Sequence, residues 1–365
     1  MKGLLMKKIL YVASVASHLS SFHIPYINAL KADGYDVVTL AAGEGADISV
    51  PFKKKFFDRG NRAARKIIKD TLSQSDFDAI VLNTSLAAFH TRLALGRSRP
   101  RVVNIVHGYL FPLIPPKSLA SRIKRRMLIL AERLVAGRTD RVIVMNSEDM
   151  EIAKKYRLSG GDIRLCHGMG VRATVTAQAR PAVRERLGMS ERFVILFAGE
   201  LSDRKNQRQL ISLLPEIIKS IPNAELWLLG EGDGREGLKE YAKELGVSER
   251  VRFLGRREDV RDFMSGCDVY ISAASSEGLP FNIVEALASG AYTVASDVKG
   301  HRDILPRENL FPLGDSERAV SLVLRARDIT PPCDSSRKAA ESFLFDTVFY
   351  ETYSLIKGGI ECLEE

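Results

Sequence analysis

The sequence predicts an α/β fold made of two doubly wound parallel sheets, each covered by helices. Strand-like apolar runs alternate with helix-like runs along nearly all of the 365 residues, and this alternation is typical of βαβ units. At about 150 residues per domain, the length indicates two domains. A polar stretch at 167–191 separates two series of elements and is interpreted as the linker between them.

The first element has two interpretations. Basic residues precede an apolar run at 9–16, as in a short signal peptide, but the same run fits a buried strand at 8–15. A helix at 23–33 and a strand at 35–40 follow, and the βαβ unit that they form needs its first strand, which favours the strand. Met6 is a second candidate start. No run reaches the roughly 18 apolar residues of a membrane-spanning helix.

The remaining elements follow from the same alternation. In the first half, strands are predicted at 78–83, 101–106, 140–145 and 162–166, and helices at 60–72, 86–96, 117–137 and 147–157. In the second half, strands are predicted at 193–198, 225–229, 251–254, 268–272, 292–296 and 309–311, and helices at 205–219, 234–245, 259–265, 281–289 and 315–326. A last helical run is predicted at 335–356.

Composition narrows the function classes. Four cysteines lie far apart without a CxxC pair, so no zinc site, redox dithiol or disulfide framework is indicated, and a reducing cytoplasm is expected. Residues 1–175 carry 29 basic against 14 acidic side chains, whereas residues 176–365 carry 25 against 31. A strongly basic half is typical of proteins that bind nucleic acid, an anionic membrane or phosphorylated substrates, although a solvated basic surface explains the same charge.

The first candidate site is the stretch SSEGLPFNIVEALASG, which follows a predicted strand and enters a predicted helix. Glu277 lies in the loop, Gly278 and Pro280 shape a tight turn, and the helix begins near Phe281. Helix N-termini attract anions such as a diphosphate. Glu285, about one turn into the helix, can accept hydrogen bonds from two hydroxyl groups. A helix entry with one dipole-matching and one solvated glutamate is the alternative, and the residues alone do not choose.

The second candidate site, GELSDRKN, also lies between a strand and a helix. Gly199 permits close approach of a ligand to the backbone, and Arg204 and Lys205 are suited to neutralising a phosphate. Ser202 or Asp203 is expected as the helix N-cap. Alternatively, both cations are exposed residues of the first helical turn, where they oppose the helix dipole.

Together, in this order and about 75 residues apart, the two motifs resemble those of the retaining glycosyltransferases of family 4, which have the GT-B fold. The Glu-x7-Glu spacing of Glu277 and Glu285 is the most specific feature. The segments FHIPY, followed by Gly34 and Tyr35, and VHGY around His107 resemble the subgroup that builds bacterial capsule, exopolysaccharide and O-antigen repeats. The resemblance covers nearly the whole chain and implies two Rossmann-like domains separated by a cleft.

The resemblance implies roles for individual residues. Arg204 and Lys205 would hold the donor diphosphate and stabilise it as the leaving group. Glu285 would bind the ribose, Glu277 the donor sugar near its reacting carbon, and His107 the transferred sugar. Further donor contacts are expected from Gly199, from Arg256 in the base-lining segment 255–258, and from the backbone of Pro280, Phe281, Asn282 and Ile283. No protein nucleophile is assigned, and His18 and His23 either line the acceptor side or pack at the first strand–helix junction.

Neither a metal nor a cofactor is expected, the nucleotide sugar being a co-substrate. Asp76 and Asp78 form a DxD string, but it precedes a strand in the first half, where acidic turns are common. The expected domains are 1–170, on the acceptor and membrane side, and 171–340, which binds the donor. The C-terminal helix, about 341–365, is expected to return to the first domain, as in the family.

Two basic clusters predict docking on an anionic membrane surface. The first comprises Lys53, Lys54, Lys55, Arg59, Arg62, Arg65, Lys66 and Lys69, and the second Lys117, Arg122, Lys124, Arg125 and Arg126. The second cluster is mixed with the apolar residues Leu110, Phe111, Leu113, Ile114, Leu119 and Ile123. A cytoplasmic enzyme, peripheral on the inner face of the cytoplasmic membrane, is expected.

The expected function is therefore retaining transfer of a sugar, from UDP-hexose or UDP-N-acetylhexosamine, to a polyprenyl-diphosphate-linked surface polysaccharide. One alternative is a nucleotide-sugar 2-epimerase of similar fold. Another is a non-catalytic basic binding or scaffold protein. Nucleic-acid binding is not expected, because the chain has no aromatic–basic motif of the RNP type.

Overall fold

A computed structural model describes residues 6–53, 55–96, 99–109, 111–114, 118–172 and 179–361. The chain divides into two compact units. The first comprises Met1–Gly170 and Val348–Glu365, and the second comprises Val171–Thr347. Among the residues of the predicted basic clusters, Lys54, Leu110 and Lys117 lie outside the described residues.

The first unit contains a seven-stranded parallel sheet in the order β3-β2-β1-β4-β5-β6-β7. Its strands are β1 (Lys8–Val15), β2 (Asp36–Ala42), β3 (Ile48–Ser49), β4 (Ala79–Asn83), β5 (Arg101–Val106), β6 (Arg141–Val144) and β7 (Asp162–Leu165). Its helices are α1 (Ala16–Phe22), α2 (Ile24–Ala32), α3 (Asn61–Gln74), α4 (Ser85–Ala94), α5 (Leu119–Ala136) and α6 (Ser147–Tyr156). The apolar run of β1 lies between β2 and β4 and is buried from Ile9 to Ala13, as the strand interpretation required.

The second unit contains a six-stranded parallel sheet in the order β10-β9-β8-β11-β12-β13. Its strands are β8 (Phe193–Ala198), β9 (Ala224–Leu229), β10 (Val251–Gly255), β11 (Val269–Ser272), β12 (Thr293–Ser296) and β13 (Leu310–Phe311). Its helices are α7 (Arg180–Arg186), α8 (Gln207–Ser220), α9 (Arg235–Glu244), α10 (Val260–Gly266), α11 (Phe281–Ala288), α12 (Ser316–Arg325) and α13 (Asp334–Ala340). The last helix, α14 (Phe345–Glu361), begins in this unit and continues into the residues assigned to the first.

The predicted fold class is confirmed, and the strand orders locate the sites where ligands bind. Each sheet runs outward in one direction and then restarts on the other side of its first strand, so the order reverses between β1 and β4 and again between β8 and β11. In open parallel sheets, ligands bind beyond the carboxyl ends of the strands at such a reversal. Ligands are therefore expected at the loops after β1, β8 and β11.

Four local features were not predicted. α1 and the short strand β3 were not foreseen, the predicted linker contains α7, and the single helical run at 335–356 is interrupted by a 3-10 turn at Glu341–Phe343. In addition, α8 begins at Gln207, with Asn206 at its N-cap in the left-handed region (φ +55°), rather than at 205 with Ser202 or Asp203 as the cap. The backbone N–H groups of Lys205 and Asn206 both donate to the Ser202 carbonyl, which folds this segment into a turn.

Candidate active site

The two sequence motifs flank the strand reversal of the second sheet. The loop that contains Arg204 and Lys205 follows β8, and the loop that contains Glu277 follows β11, the strand beside it. The backbone of Ser275 donates a hydrogen bond of 2.8 Å to the carbonyl of Arg204, which ties the two loops together. Residues more than 70 positions apart in the sequence are thereby brought to one edge of the sheet.

Glu277 forms the centre of this arrangement. Its side chain is 8% exposed, and each carboxylate oxygen has its own cation: Arg204 Nη1 lies 2.8 Å from Oε2, and Lys205 Nζ lies 2.6 Å from Oε1. Burial acts to raise the pKa of Glu277, but Lys205 and Arg204 outweigh it and hold that pKa below its usual value. Glu277 is therefore an ionised, fixed negative charge and is unsuited to acting as a general acid at neutral pH.

A glycine that follows β12 supports the Glu277 loop. Gly300 has φ +84°, and a Cβ atom there would lie 2.5 Å from the Gly278 carbonyl oxygen and 3.1 Å from the Cβ of Glu277. The backbone N–H of Glu277 donates to the Lys299 carbonyl at 3.2 Å. Only glycine fits this close approach, so the loop after β12 fixes the position of the glutamate.

Glu285 has the opposite environment. It lies in α11 and is half-buried, and its carboxylate forms no hydrogen bond or ion pair that the described residues reveal. Burial raises its pKa, and Arg261 in α10 counteracts this only in part. A partly buried carboxylate without a hydrogen-bonding partner is disfavoured in the unliganded protein, and hydroxyl groups of a ligand would relieve that penalty.

The N-terminus of α11 presents its backbone to a ligand, and the side chains of Asn282 and Ile283 are engaged elsewhere. No side chain caps this helix, its N-cap is Pro280, and its first turn has no acidic residue. The Asn282 side-chain amide donates to the Ala198 carbonyl at 2.9 Å and to Tyr270 Oη at 2.8 Å, so it links α11 to the sheet. Ile283 is fully buried. Contacts of these two residues to a ligand are therefore limited to the backbone.

The other predicted donor residues lie along the same edge. Gly199 follows β8 and has φ +152°. A Cβ atom on Gly230 would lie 2.0 Å from the carbonyl oxygen of Gly199, so the loops after β8 and β9 are in close contact. Arg256 is exposed just after β10. Among the residues that the structure describes, none forms a hydrogen bond or ion pair with its side chain.

Sequence reasoning missed His301. This residue is fully buried, its Nδ1 lies 2.7 Å from the Ser296 carbonyl oxygen, and its Nε2 has no partner among the described residues. Burial lowers the pKa of His301 to about 4, although Glu277 acts to raise it. His301 is therefore neutral at pH 7, and its position directly after Gly300 was the available signal.

In the first unit, His107 follows β5 and lies against two other histidines. His23 Nε2 is 3.1 Å from His107 Nε2 and 3.3 Å from His18 Nε2. Burial lowers the pKa of His18 to about 4 and lowers those of His23 and His107 well below their usual value. All three imidazoles are therefore neutral at pH 7. His18 lies in α1 and His23 directly after it, next to the first strand–helix junction, and the structure adds their contact with His107.

Comparisons with known proteins give a consistent result. Residues 180–335 match the family model described as Glycosyl transferases group 1. The chain is 30% identical over 331 residues to EpsD of Bacillus subtilis (strain 168), which is assigned as a glycosyltransferase, and the match covers 85% of this chain and 84% of EpsD.

A second relative has a more specific name. The chain is 25% identical over 268 residues to the UDP-Gal:alpha-D-GlcNAc-diphosphoundecaprenol alpha-1,3-galactosyltransferase of Escherichia coli, covering 70% of this chain and 68% of that protein. Among solved structures, HepE of Anabaena in complex with UDP and glucose aligns with a TM-score of 0.77 at 20% identity, over 96% of this chain and 100% of HepE. This structural likeness concerns the fold.

Proposed function

The chain belongs to the group 1 glycosyltransferases, and from this membership we propose that it transfers a hexose or N-acetylhexosamine from UDP, with retention, to a polyprenyl-diphosphate-linked surface polysaccharide. The proteins that it matches include a lipopolysaccharide core biosynthesis glycosyltransferase of Rhizobium meliloti and the Escherichia coli enzyme named for a UDP-Gal donor. The nucleotide, the stereochemistry of transfer and the acceptor are the features of the proposal that go beyond family membership.

The observation that carries the proposal is the pairing of Glu277 with Arg204 and Lys205 at the strand reversal of the second sheet. A guanidinium has five N–H donors and an ammonium has three, so both cations can hold Glu277 and still bind phosphate oxygens. In this position they would neutralise the departing diphosphate, assisted by the N-terminus of α11. Glu285 would accept hydrogen bonds from the ribose.

Glu277 is proposed to contact the hydroxyl groups of the donor sugar and to stabilise positive charge at the reacting carbon. Glycosyl transfer passes through an oxocarbenium-like centre, and a buried carboxylate with a lowered pKa supplies a fixed negative charge beside it. Because both carboxylate oxygens are held by cations, we assign Glu277 no role as a nucleophile. His107 is proposed to contact the transferred sugar.

The choice of UDP and of a lipid-linked acceptor is supported by the relatives. The Escherichia coli enzyme is named for a UDP-Gal donor and a diphosphoundecaprenol-linked acceptor, and HepE was crystallised with UDP and glucose. We transfer both features to this chain as a proposal. The expected reaction needs no resident metal, since Arg204 and Lys205 supply the positive charge.

A membrane-facing helix fits such an acceptor. The described residues include no helix that is both long and apolar enough to cross a bilayer. However, α5 exposes an apolar stripe whose members recur every three or four positions: Leu119, Ile123, Met127, Leu130 and Leu134. Exposed arginines flank the stripe, and Arg122, Arg125, Arg126 and Arg133 line a groove of about 410 Å³. The opposite face is anchored by buried Leu128 and by an ion pair between Glu132 and Arg92.

This pattern is typical of a helix that lies in the plane of a membrane interface. We therefore propose peripheral association of α5 with the anionic inner face of the cytoplasmic membrane. In a flotation assay, the protein should bind vesicles that contain anionic lipid and should bind neutral vesicles much less. The double variant Leu130→Ser/Leu134→Ser should lose binding, whereas Leu313→Ser, an exposed leucine of the second unit, should retain it. Equal flotation of both variants would exclude α5 as the docking surface.

The donor site is tested by calorimetry with UDP, GDP, ADP and CMP. Of these nucleotides, we expect only UDP to bind in the micromolar range, and we expect Glu285→Ala to abolish this binding. Glu240→Ala, which changes an exposed glutamate of α9, is the matched control. Transfer to a polyprenyl-diphosphate-linked acceptor, with the product's anomeric configuration read by NMR, tests the reaction. Conversion of the donor sugar without an acceptor would favour the epimerase, and no nucleotide binding would favour a scaffold.

A further inference from the structure

Three histidines from separate elements converge in the first unit. His18 lies in α1, His23 lies between α1 and α2, and His107 follows β5. One ring nitrogen of each lies within 4.8 Å of those of the other two. They lie at the carboxyl edge of the sheet, beside the strand reversal, where a ligand is expected.

Hydrogen bonding among the rings does not explain this convergence. A neutral imidazole nitrogen carries either one proton or one lone pair. Nε2 of His23 nevertheless faces two other Nε2 atoms, at 3.1 and 3.3 Å, so it can fully satisfy only one of these contacts. In the second contact, two nitrogen atoms lie close together with no proton left to form a hydrogen bond between them. A bound cation would accept all three lone pairs at once.

Two of the three nitrogen separations fit a tetrahedral metal ion, and the ring nitrogens of His18 and His107 lie within 4.8 Å of each other. Zinc binds histidine nitrogen at about 2.0–2.1 Å, which places two nitrogens of a tetrahedral site about 3.3–3.4 Å apart. The measured separations of 3.1 and 3.3 Å are close to this edge length. We propose that His18, His23 and His107 bind one Zn²⁺ ion through their Nε2 atoms, with the fourth position open. Imidazole is a preferred ligand of this ion.

A second residue orients the site. Tyr11 is fully buried, and its hydroxyl lies 3.0 Å from Nδ1 of His23. A histidine that binds a metal through one nitrogen usually donates the proton of the other to such a partner, which fixes the tautomer. Tyr11 Oη would accept this proton and leave the Nε2 lone pair of His23 directed at the ion.

The open position lies on the accessible side of the cluster, since His18 and His107 are half-buried whereas His23 is fully buried. Three neutral imidazoles leave the ion its full double charge, so water or a phosphate oxygen is the expected fourth ligand. The phosphate alternative rests on the proposed function, because it would come from the diphosphate of the acceptor. Binding of the metal itself does not depend on that function.

The experiment uses the untagged full chain, stripped with a chelator and titrated with Zn²⁺ by calorimetry, with Co²⁺ absorption as a readout of coordination geometry. We expect one ion per chain and a tetrahedral cobalt spectrum. Tyr11→Phe should weaken binding by roughly 10- to 100-fold, and His18→Ala by more. His167→Ala is the matched control, because His167 is an exposed histidine of the same unit that pairs with Glu351.

His18 is the preferred ligand variant because it is only half-buried, and circular dichroism should show that His18→Ala remains folded. The absence of saturable Zn²⁺ binding by the wild-type chain would overturn the proposal. Equal Zn²⁺ affinity in the wild type and His18→Ala would also overturn it, as would loss of binding in His167→Ala alone. None of these results depends on sugar transfer, so they are separate from the test of the proposed function.

Discussion

The two glutamates of the proposed donor site should affect stability in opposite directions when each is replaced by glutamine. Lys205 and Arg204 lower the pKa of Glu277 against the effect of burial, whereas burial raises the pKa of Glu285. A lowered pKa means that the charged form stabilises the folded state, and a raised pKa means that it destabilises it. The two substitutions change the same atoms at positions eight residues apart.

Glu285→Gln removes a partly buried charge that has no hydrogen bond or ion pair among the described residues. We expect the free energy of unfolding to rise by about 1 kcal/mol at neutral pH. This gain should shrink as the pH falls through the folded-state pKa of Glu285, which lies above its usual value of 4.5, because the wild-type carboxyl group then becomes neutral as well.

The same variant should bind UDP more weakly. A hydrogen bond to a charged acceptor contributes about 1.5–3 kcal/mol, and one to a neutral acceptor about 0.5–1.5 kcal/mol. Two ribose hydroxyl groups bonded to an amide instead of a carboxylate therefore lose about 2–3 kcal/mol, which corresponds to roughly 30- to 150-fold in affinity. A more stable protein with a weaker donor site is the signature of a residue kept for binding.

Glu277→Gln should instead lower the free energy of unfolding by about 2 kcal/mol. Most of this loss comes from Lys205, whose side chain is 11% exposed, because solvent screens the contribution of Arg204 at 38%. The stabilisation is fully present above the usual carboxyl pKa of 4.5 and is lost as the pH falls through the lower folded-state value.

Urea unfolding followed by tryptophan fluorescence measures the stability of the second unit, in which both glutamates lie. The chain has one tryptophan, Trp227, which is buried in β9 of the second unit. Glu240→Gln, in an exposed position on α9, is the control and should change neither stability nor UDP binding. Stability changes of the same sign for the two site variants, or full UDP affinity in Glu285→Gln, would refute the reasoning.

Three other substitutions test the contacts that support the sites. Gly300→Ala should lower kcat/KM and destabilise the second unit by about 1–3 kcal/mol, since its Cβ would lie 2.5 Å from the Gly278 carbonyl oxygen; a wild-type kcat/KM would contradict this. Lys205→Met should reduce kcat by roughly 10²- to 10³-fold while the protein stays folded by circular dichroism, and an unchanged kcat would remove Lys205 from the machinery. Glu132→Ala should destabilise the first unit by about 3–5 kcal/mol, because it leaves buried Arg92 unpaired; thermal unfolding followed by circular dichroism measures this, and a loss below 1 kcal/mol would contradict it.

The fold class was predictable because buried parallel strands are continuous apolar runs. The runs at 8–15, 79–83 and 193–198 need no tertiary information to be recognised as strands. The two short helices that were missed, α1 and α7, have seven residues each, and segments of this length carry little periodicity. The start of α8 was misplaced because Asn206 adopts a left-handed conformation that no local rule requires.

The candidate site was predictable only in part, because its contacts join residues that are far apart in the sequence. The order of the two motifs identified Glu277, Glu285, Arg204 and Lys205 through a family resemblance, but their pairing is a tertiary contact between loops that follow neighbouring strands. The histidine cluster was not foreseen at all, because His107 is separated from His23 by 84 positions. Spacing alone does not bring together residues that lie in elements so far apart in the sequence.

The charge of a unit does not determine which ligand it binds. Residues 176–365 are net acidic, yet they contain the proposed site for an anionic diphosphate. Local geometry outweighs the total, because Arg204, Lys205 and the uncapped N-terminus of α11 converge on one strand reversal. The same holds in the basic first half, where the strand reversal presents neutral histidines and the excess charge lies on surfaces such as α5. Within each sheet, position relative to the strand order, rather than net charge, therefore indicates where a ligand binds.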